Sequence, residues 1–355
     1  MGQRLRVAVV GGGIGAQHIA AYRKLPELYE VRALCDIDPS RAASVAGRFA
    51  IPLTLTSFEE LLSHDDLDLI DICTPSNLHF KQTQAALRAG KHVVCEKPVA
   101  GSLAEVDALI VAEWESGCRV SPIFQYRFGN GFQKLLHLKA KGVLGRAYLG
   151  TVETHWKRGS AYYEVPWRGR WQTELGGCLV THAVHAHDLL VAALGPVRSV
   201  FARTATRVNG IETEDCAVLA LEMADGALVS LSVTLGSAAE ISRLRLCFEV
   251  LTCESCHEPY RPQGEPWQLW PADEAAKARI DEALADFEPG LEHYEGQFSR
   301  LHAALTADGP MPVTLADARS SLELVTAAYH SAHAGAMVSL PVDAYHPGYR
   351  GWHPA

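Results

Sequence analysis

Short apolar runs alternate with amphipathic stretches over the first third of the chain. Val7–Val10 is followed by Ala16–Lys24, Val31–Cys35 by Ser40–Arg48, Leu69–Cys73 by Phe80–Ala89, and Val93–Cys95 by Leu103–Glu115. Apolar runs without polar alternation fit strands buried on both faces, and the stretches between them read as crossover helices. Strand and helix in strict succession predict a parallel sheet with right-handed connections. After about Gln125 the texture changes to longer alternating segments, Ala147–His155, Cys216–Met223 and Ala227–Leu235, the last two joined by the hairpin signal Ala224-Asp225-Gly226. That pattern predicts a large, open, mostly antiparallel sheet with helices on one face, roughly Leu291–Thr306 and Ala316–Ala334. The fold class expected is therefore α/β, with two domains at residues 1–124 and 125–355. A large open sheet leaves a face needing cover, so a homodimer or homotetramer is expected through it.

Composition narrows the function class. The 355 residues carry 32 basic and 41 acidic side chains, a net charge of −9, with no basic run able to follow a phosphate backbone. Nucleic acid is not an expected partner. The polar lead into Val7 is too short for a signal peptide, and no run of 18 apolar residues occurs, so a cytoplasmic protein with no membrane partner is expected. Nine scattered cysteines, an odd number, do not form a disulfide framework and suit a reducing compartment.

Gly11-Gly12-Gly13-Ile14-Gly15-Ala16 lies between the first strand and the first helix, and Gly11, Gly13 and Ala16 satisfy the G-x-G-x-x-G/A fingerprint. The first glycine permits a tight turn, the second admits a pyrophosphate to the helix N-terminus, and the small third residue allows close helix packing. Asp36 ends the second apolar run and is placed to accept hydrogen bonds from an adenosine ribose and to repel a 2′-phosphate, which favours NAD over NADP. Arg41 could approach a phosphate or stack on adenine, and Asp38 is read as turn-forming. Lys97, in Glu96-Lys97-Pro98 after the fourth apolar run, falls at the carboxyl end of a parallel strand, where such sheets hold ligands and where burial adapts a lysine for proton transfer.

The ordered set Gly11 to Gly15, Asp36, Thr74-Pro75-Ser76-Asn77-Leu78-His79, Ala89-Gly90-Lys91-His92-Val93 and Glu96-Lys97-Pro98 resembles the Gfo/Idh/MocA family of NAD(P)-dependent sugar and cyclitol oxidoreductases. The match extends over nearly the whole chain. It implies a Rossmann domain followed by a C-terminal α/β domain whose open sheet mediates oligomers. It also implies that Gly11, Gly13, Ile14 and Gly15 form the cofactor loop, that Thr74, Pro75, Asn77 and His79 form the nicotinamide-side loop, and that Lys97 is catalytic. Glu96, Gln125 and Arg41 are expected on the cofactor side as well, and Arg127 on the substrate side. Taking His18 as the aligned histidine makes the turn one residue shorter than the family's commonest form.

The stretch Gly176 to Asp188 carries a second candidate cluster. If it is helical from about Cys178, then Thr181, His182, His185 and Asp188 share one face and His187 lies away from them. The resemblance implies Asp-x-x-x-His here, with the histidine on the reacting hydroxyl; the chain has His185 but Thr181 in place of the aspartate. Threonine cannot stabilise a protonated imidazole as a carboxylate does, so His182 or Asp188 supplies the polarity, or Lys97 carries the proton alone. His182 and His185 with Glu174 do not make an HExxH pattern, and no metal is expected. Trp156, Tyr163, Trp167 and Arg168 crowd the loop upstream, and aromatic faces with guanidinium donors suit a pyranose. Cys253-Glu254-Ser255-Cys256-His257 spells the c-type haem attachment pattern and is read as coincidence. These features predict an NAD-dependent dehydrogenase acting on a carbinol of a sugar, glycoside or cyclitol, with Lys97 and His185 as acid/base. The alternative is a redox-neutral glycoside hydrolase or lyase that works through a transient keto-sugar.

Overall fold

A computed structural model describes residues 3–307 and 309–353, which fall into two compact units. The first comprises residues up to Ile123 together with Tyr294–Arg319, and the second Phe124–His293 together with Ser320 onward.

In the first unit the succession is β1 (Leu5–Val10), α1 (Gly15–Arg23), β2 (Tyr29–Cys35), α2 (Pro39–Phe49), β3 (Leu53–Leu55), α3 (Phe58–Leu62), β4 (Leu69–Ile72), α4 (Ser76–Arg88), β5 (His92–Cys95), α5 (Leu103–Ser116) and β6 (Val120–Pro122). All pairings are parallel and the order is β3-β2-β1-β4-β5-β6, the doubly wound arrangement with its switch between β1 and β4. Helix starts follow local chemistry. Asp38 caps α2 through the N–H groups of Ser40 and Arg41, with Pro39 fixing the first helical φ. Ser102 caps α5 by accepting the Glu105 N–H, and the Glu105 carboxylate reaches back to accept the Gly101 N–H.

The second unit contains α6 (Asn130–Ala140), β7 (Ala147–Lys157), α7 (Ser160–Tyr163), α8 (Trp171–Glu174), α9 (Cys178–Thr181), α10 (Val184–Leu194), β8 (Val197–Ala205), β9 (Cys216–Met223), β10 (Leu228–Thr234), β11 (Gly236–Phe248), β12 (Leu251–Glu254), β13 (Gln268–Pro271) and α11 (Glu274–Leu284). After these, α12 (His293–Thr306) belongs with the first unit from Tyr294 on, α13 (Leu315–Ala334) passes into the second at Ser320, and β14 (Val338–Ser339) joins the second unit's sheet. Its eight strands run β13-β12-β11-β7-β10-β9-β8-β14, antiparallel except for the β7–β10 pair. Burial alternates along β8, β9 and β10, which leaves Phe201, Val218 and Leu228 exposed on one face of the sheet.

One expectation is corrected. The segment Tyr294–Arg319, assigned by sequence to the second domain, completes the core of the first. Phe298 lies flat on Tyr22, ring centroids 4.2 Å apart, and accepts the Tyr29 hydroxyl on its carbonyl at 2.7 Å. The buried Gln297 amide donates to the Pro122 carbonyl at 2.7 Å, closing the β6 edge. Burying one such phenyl ring contributes about 2 to 3 kcal/mol.

Candidate active site

The turn between β1 and α1 is shaped by two close approaches and one open position. Gly11 has φ +97°, and a Cβ there would lie 2.6 Å from the Cys73 carbonyl oxygen. A Cβ on Gly15 would lie 2.7 Å from Val9, so Gly15, not Ala16, is the small residue that lets the helix approach the sheet. A Cβ on Gly13 would meet nothing within 4 Å, which leaves the open ground a pyrophosphate requires at the start of α1. Ile14 is partly exposed beside it. These observations fit a dinucleotide.

Asp36, buried at the end of β2, accepts N–H groups from Gly12 at 2.7 Å and Asp38 at 2.9 Å. It also takes a bidentate contact from Arg41 at 2.7 and 2.9 Å. Burial opposes its charge, but Arg41 and the two amides outweigh burial and hold its carboxyl below the usual range. Arg41 is thus a partner of Asp36, and Gly12, which sequence reasoning passed over, is the residue that anchors it.

Thr74 donates to Gln82 at 2.6 Å, and Pro75 and exposed Asn77 stand at the start of α4. His79, expected to face the cofactor, is instead buried with its two ring nitrogens each 2.7 Å from a carbonyl, those of Thr74 and Pro98. It staples the α4 entry to the residue after Lys97. Glu96, just beyond β5, accepts the Lys97 backbone N–H at 3.0 Å, so the lysine leaves a fixed point on the strand end.

Beneath this strand end lies a cluster that sequence spacing does not reveal. Fully buried His18, on α1, places Nδ1 2.9 Å from Asp71 and Nε2 3.2 Å from Glu96, with the Cys73 sulfur 3.4 Å away.

In the second unit the assumed single helix from Cys178 is two helices, bent by 49° across His182 and Ala183. The wheel that put Thr181, His182, His185 and Asp188 on one face therefore fails. The Thr181 hydroxyl donates to the Gly177 carbonyl at 2.8 Å and lies 2.7 Å from His182 Nδ1. With its proton spent on Gly177, Thr181 accepts from Nδ1–H, so it orients His182 rather than His185. His185, nearly buried, stacks on Tyr126 at 4.6 Å with Phe124 edge-on at 6.2 Å. Asp188 is paired with Arg127 at 2.6 and 2.7 Å, so Arg127's guanidinium is taken up inside the fold. His187 is fully buried, and burial lowers its ring to about 3. Gln125 is buried in the 3-10 turn Gln125–Phe128.

The aromatic loop does gather around His182. Trp156 and Tyr162 each lie 5.6 Å from its ring, and Arg168 sits 3.8 Å from the Tyr162 ring and 4.5 Å from that of Trp167. Trp156 is itself buried, its N–H donated to Ser242 at 3.0 Å, so it backs His182 and offers no free polar group. Tyr163 packs edge-on against Tyr162 at 5.0 Å. Two carboxylates hold the loop: Glu174 accepts from the Gly169 amide and lies 3.8 Å from Arg168, and Glu214 accepts from Gly177 and Leu179, each at 3.0 Å. The haem-like pattern dissolves: Cys253 is buried in β12, Cys256 donates to the Arg261 carbonyl at 2.9 Å, and His257 pairs with Glu254 at 2.9 Å.

Residues 5–124 match the model of the oxidoreductase family with an NAD-binding Rossmann fold, and residues 132–253 match the Gfo/Idh/MocA C-terminal domain. An uncharacterized oxidoreductase, YrbE of Bacillus subtilis, is 26% identical over 96% of this chain and 98% of its own. Levoglucosan dehydrogenase of Pseudarthrobacter phenanthrenivorans is 29% identical over 56% of this chain and 54% of its own. The WlbA dehydrogenase of Bordetella pertussis, solved with NADH and UDP-GlcNAcA, superposes with a TM-score of 0.84 at 28% identity, covering 96% of this chain and all of that one. The chain belongs to the Gfo/Idh/MocA family of oxidoreductases, with an NAD-binding Rossmann domain.

Proposed function

We propose that the protein is an NAD-dependent dehydrogenase that oxidises a carbinol carbon of a sugar, glycoside or cyclitol, or reduces the corresponding ketone. The observation that carries this reading is Lys97, held by the Glu96 carboxylate at the end of β5 in the sheet whose Gly11 to Gly15 turn is built for a dinucleotide. NAD, when bound, supplies the hydride acceptor. Gly11, Gly13, Ile14 and Gly15 would cradle it, with Thr74, Pro75, Asn77 and Gln125 as further contacts. Asp36 favours NAD over NADP, since its carboxylate would repel a 2′-phosphate.

Lys97 takes the hydroxyl proton as the carbinol C–H is broken, and His185 assists by orienting the hydroxyl. Tyr163, Trp167, Arg168, Thr181 and His182 form the sugar-facing group, in which rings cover apolar C–H faces and Arg168 donates to hydroxyls. The relatives' names support this class of substrate. The exposed Phe201, Val218 and Leu228 face of the large sheet supports assembly as a homodimer or homotetramer.

The test is a panel of sugars, glycosides and cyclitols with NAD, following NADH absorbance. A rise with one substrate supports the reading. Consumption of a glycoside with flat absorbance would favour the redox-neutral alternative, and cofactor binding with no turnover anywhere would make the chain a non-catalytic binder.

A further inference from the structure

His18 has no role in the reading above, yet it is a fully buried titratable side chain held at both ring nitrogens. It is 0% exposed, and each of its ring nitrogens points at a carboxylate oxygen, Asp71 on one side and Glu96 on the other. A neutral imidazole has one N–H and could satisfy only one of them, leaving the second nitrogen's lone pair against an oxygen lone pair. Both contacts become hydrogen bonds only if the ring carries two protons, or if it carries one and a carboxyl carries the other. The proton count of the cluster is the same either way. Burial is the largest single influence and disfavours a charged ring, but Asp71 and Cys73 together outweigh it and raise the proton affinity of His18.

Every group packed around the ring is consistent with this. The Cys73 thiol is pushed up by burial and Asp71 and stays protonated, as does the Tyr22 phenol on the same helix. From α12, the Tyr294 ring lies 4.5 Å from the imidazole and its hydroxyl 3.5 Å from Glu96, while Phe298 closes the remaining side at 5.6 Å. Glu96 uses one oxygen for His18 and the other for the Lys97 amide. The chain of contacts is therefore continuous: Asp71, His18, Glu96, Lys97.

We propose that His18 is a positioning residue for Lys97, a buried doubly protonated imidazole that ties Asp71 to Glu96 and so fixes the carboxylate on which the Lys97 backbone rests. The inference depends on Lys97 being the acid/base group. Removing His18 lets Glu96 turn and also removes a positive charge near the lysine, which makes the lysine's proton harder to lose.

His18→Gln keeps a similar length but can satisfy only one carboxylate as donor. Compared with wild type, this variant is expected to keep NADH affinity within about threefold and to lose kcat by roughly ten- to hundredfold, in line with the cost of small misplacements, with little change in KM. The acidic limb of its kcat–pH profile in the oxidation direction should move to higher pH, a shift that mere loosening of the fold would not produce. Unchanged kcat with an unchanged profile would overturn the proposal, while loss of activity in Lys97→Ala would show that the base assignment still stands. If His18→Gln does not fold, nitrogen NMR of histidine-labelled wild type decides. A ring with both nitrogens protonated above about pH 8 that also shows through-space contacts to Tyr294 and Phe298, which pack on His18 and not on His79, supports the proposal, and its absence refutes it.

Discussion

Glu214 and Gly177 meet so closely that a side chain on Gly177 would sit 1.9 Å from the Glu214 carbonyl oxygen, while the Gly177 N–H donates to the Glu214 carboxylate at 3.0 Å. Leu179 N–H and the Tyr329 hydroxyl complete the carboxylate's partners. Burial nevertheless raises the Glu214 carboxyl from 4.5 to about 7. Between those values the folded chain holds a proton that the unfolded chain has released, so stability falls as pH rises through this window. The loss is at most ~3 kcal/mol. Glu214→Gln removes the titration and leaves one backbone N–H facing an amide NH2. Its stability deficit relative to wild type should therefore shrink as pH rises from about 5 to about 8, as measured by denaturant unfolding at each pH.

Lys97→Ala is expected to bind NADH normally and to lose turnover by about 10²- to 10⁴-fold, the range for a positioned proton acceptor. Steady-state assays with the best substrate, beside a fluorescence titration of NADH, check both halves. Turnover near wild type would end the assignment.

Asp36 holds Arg41 at the rim of the dinucleotide turn through a bidentate contact. Asp36→Ser removes the repulsion toward a 2′-phosphate and releases Arg41 to contact it. The NADPH to NADH ratio of Kd values should fall by about tenfold or more, as expected when one new charge-assisted hydrogen bond forms. Calorimetric titration with each nucleotide measures it.

The parallel sheet was legible because four apolar runs, each followed by an amphipathic stretch, leave few topologies. β3 was missed because Leu53–Leu55 is three residues long, shorter than any periodicity can register. That Lys97 and Asp36 follow strand ends was legible because each closes an apolar run. His18 and Asp71 could not be paired, because they lie 53 residues apart on different elements and each reads as an ordinary polar residue. The break at His182 and Ala183 carries neither glycine nor proline, so nothing local announces it. Nor does the apolar stripe of α12 say which sheet it will cover.

Thr181 orients His182 through a single hydroxyl. Thr181→Val should lower kcat/KM about fivefold, the equivalent of one net hydrogen bond of ~1 kcal/mol, and Thr181→Ser should restore it. Equal loss in both variants would show that the methyl group, not the hydroxyl, is what matters.

The return of Tyr294–Arg319 to the first unit has a consequence for biosynthesis. A nucleotide-binding domain made from the first 123 residues alone could close as soon as it left the ribosome, as N-terminal domains generally do. Here Tyr22 and Tyr29 wait for Phe298, so the aromatic patch they form stays uncovered until α12 has been translated. The first unit begins first and is completed only after most of the second has been made.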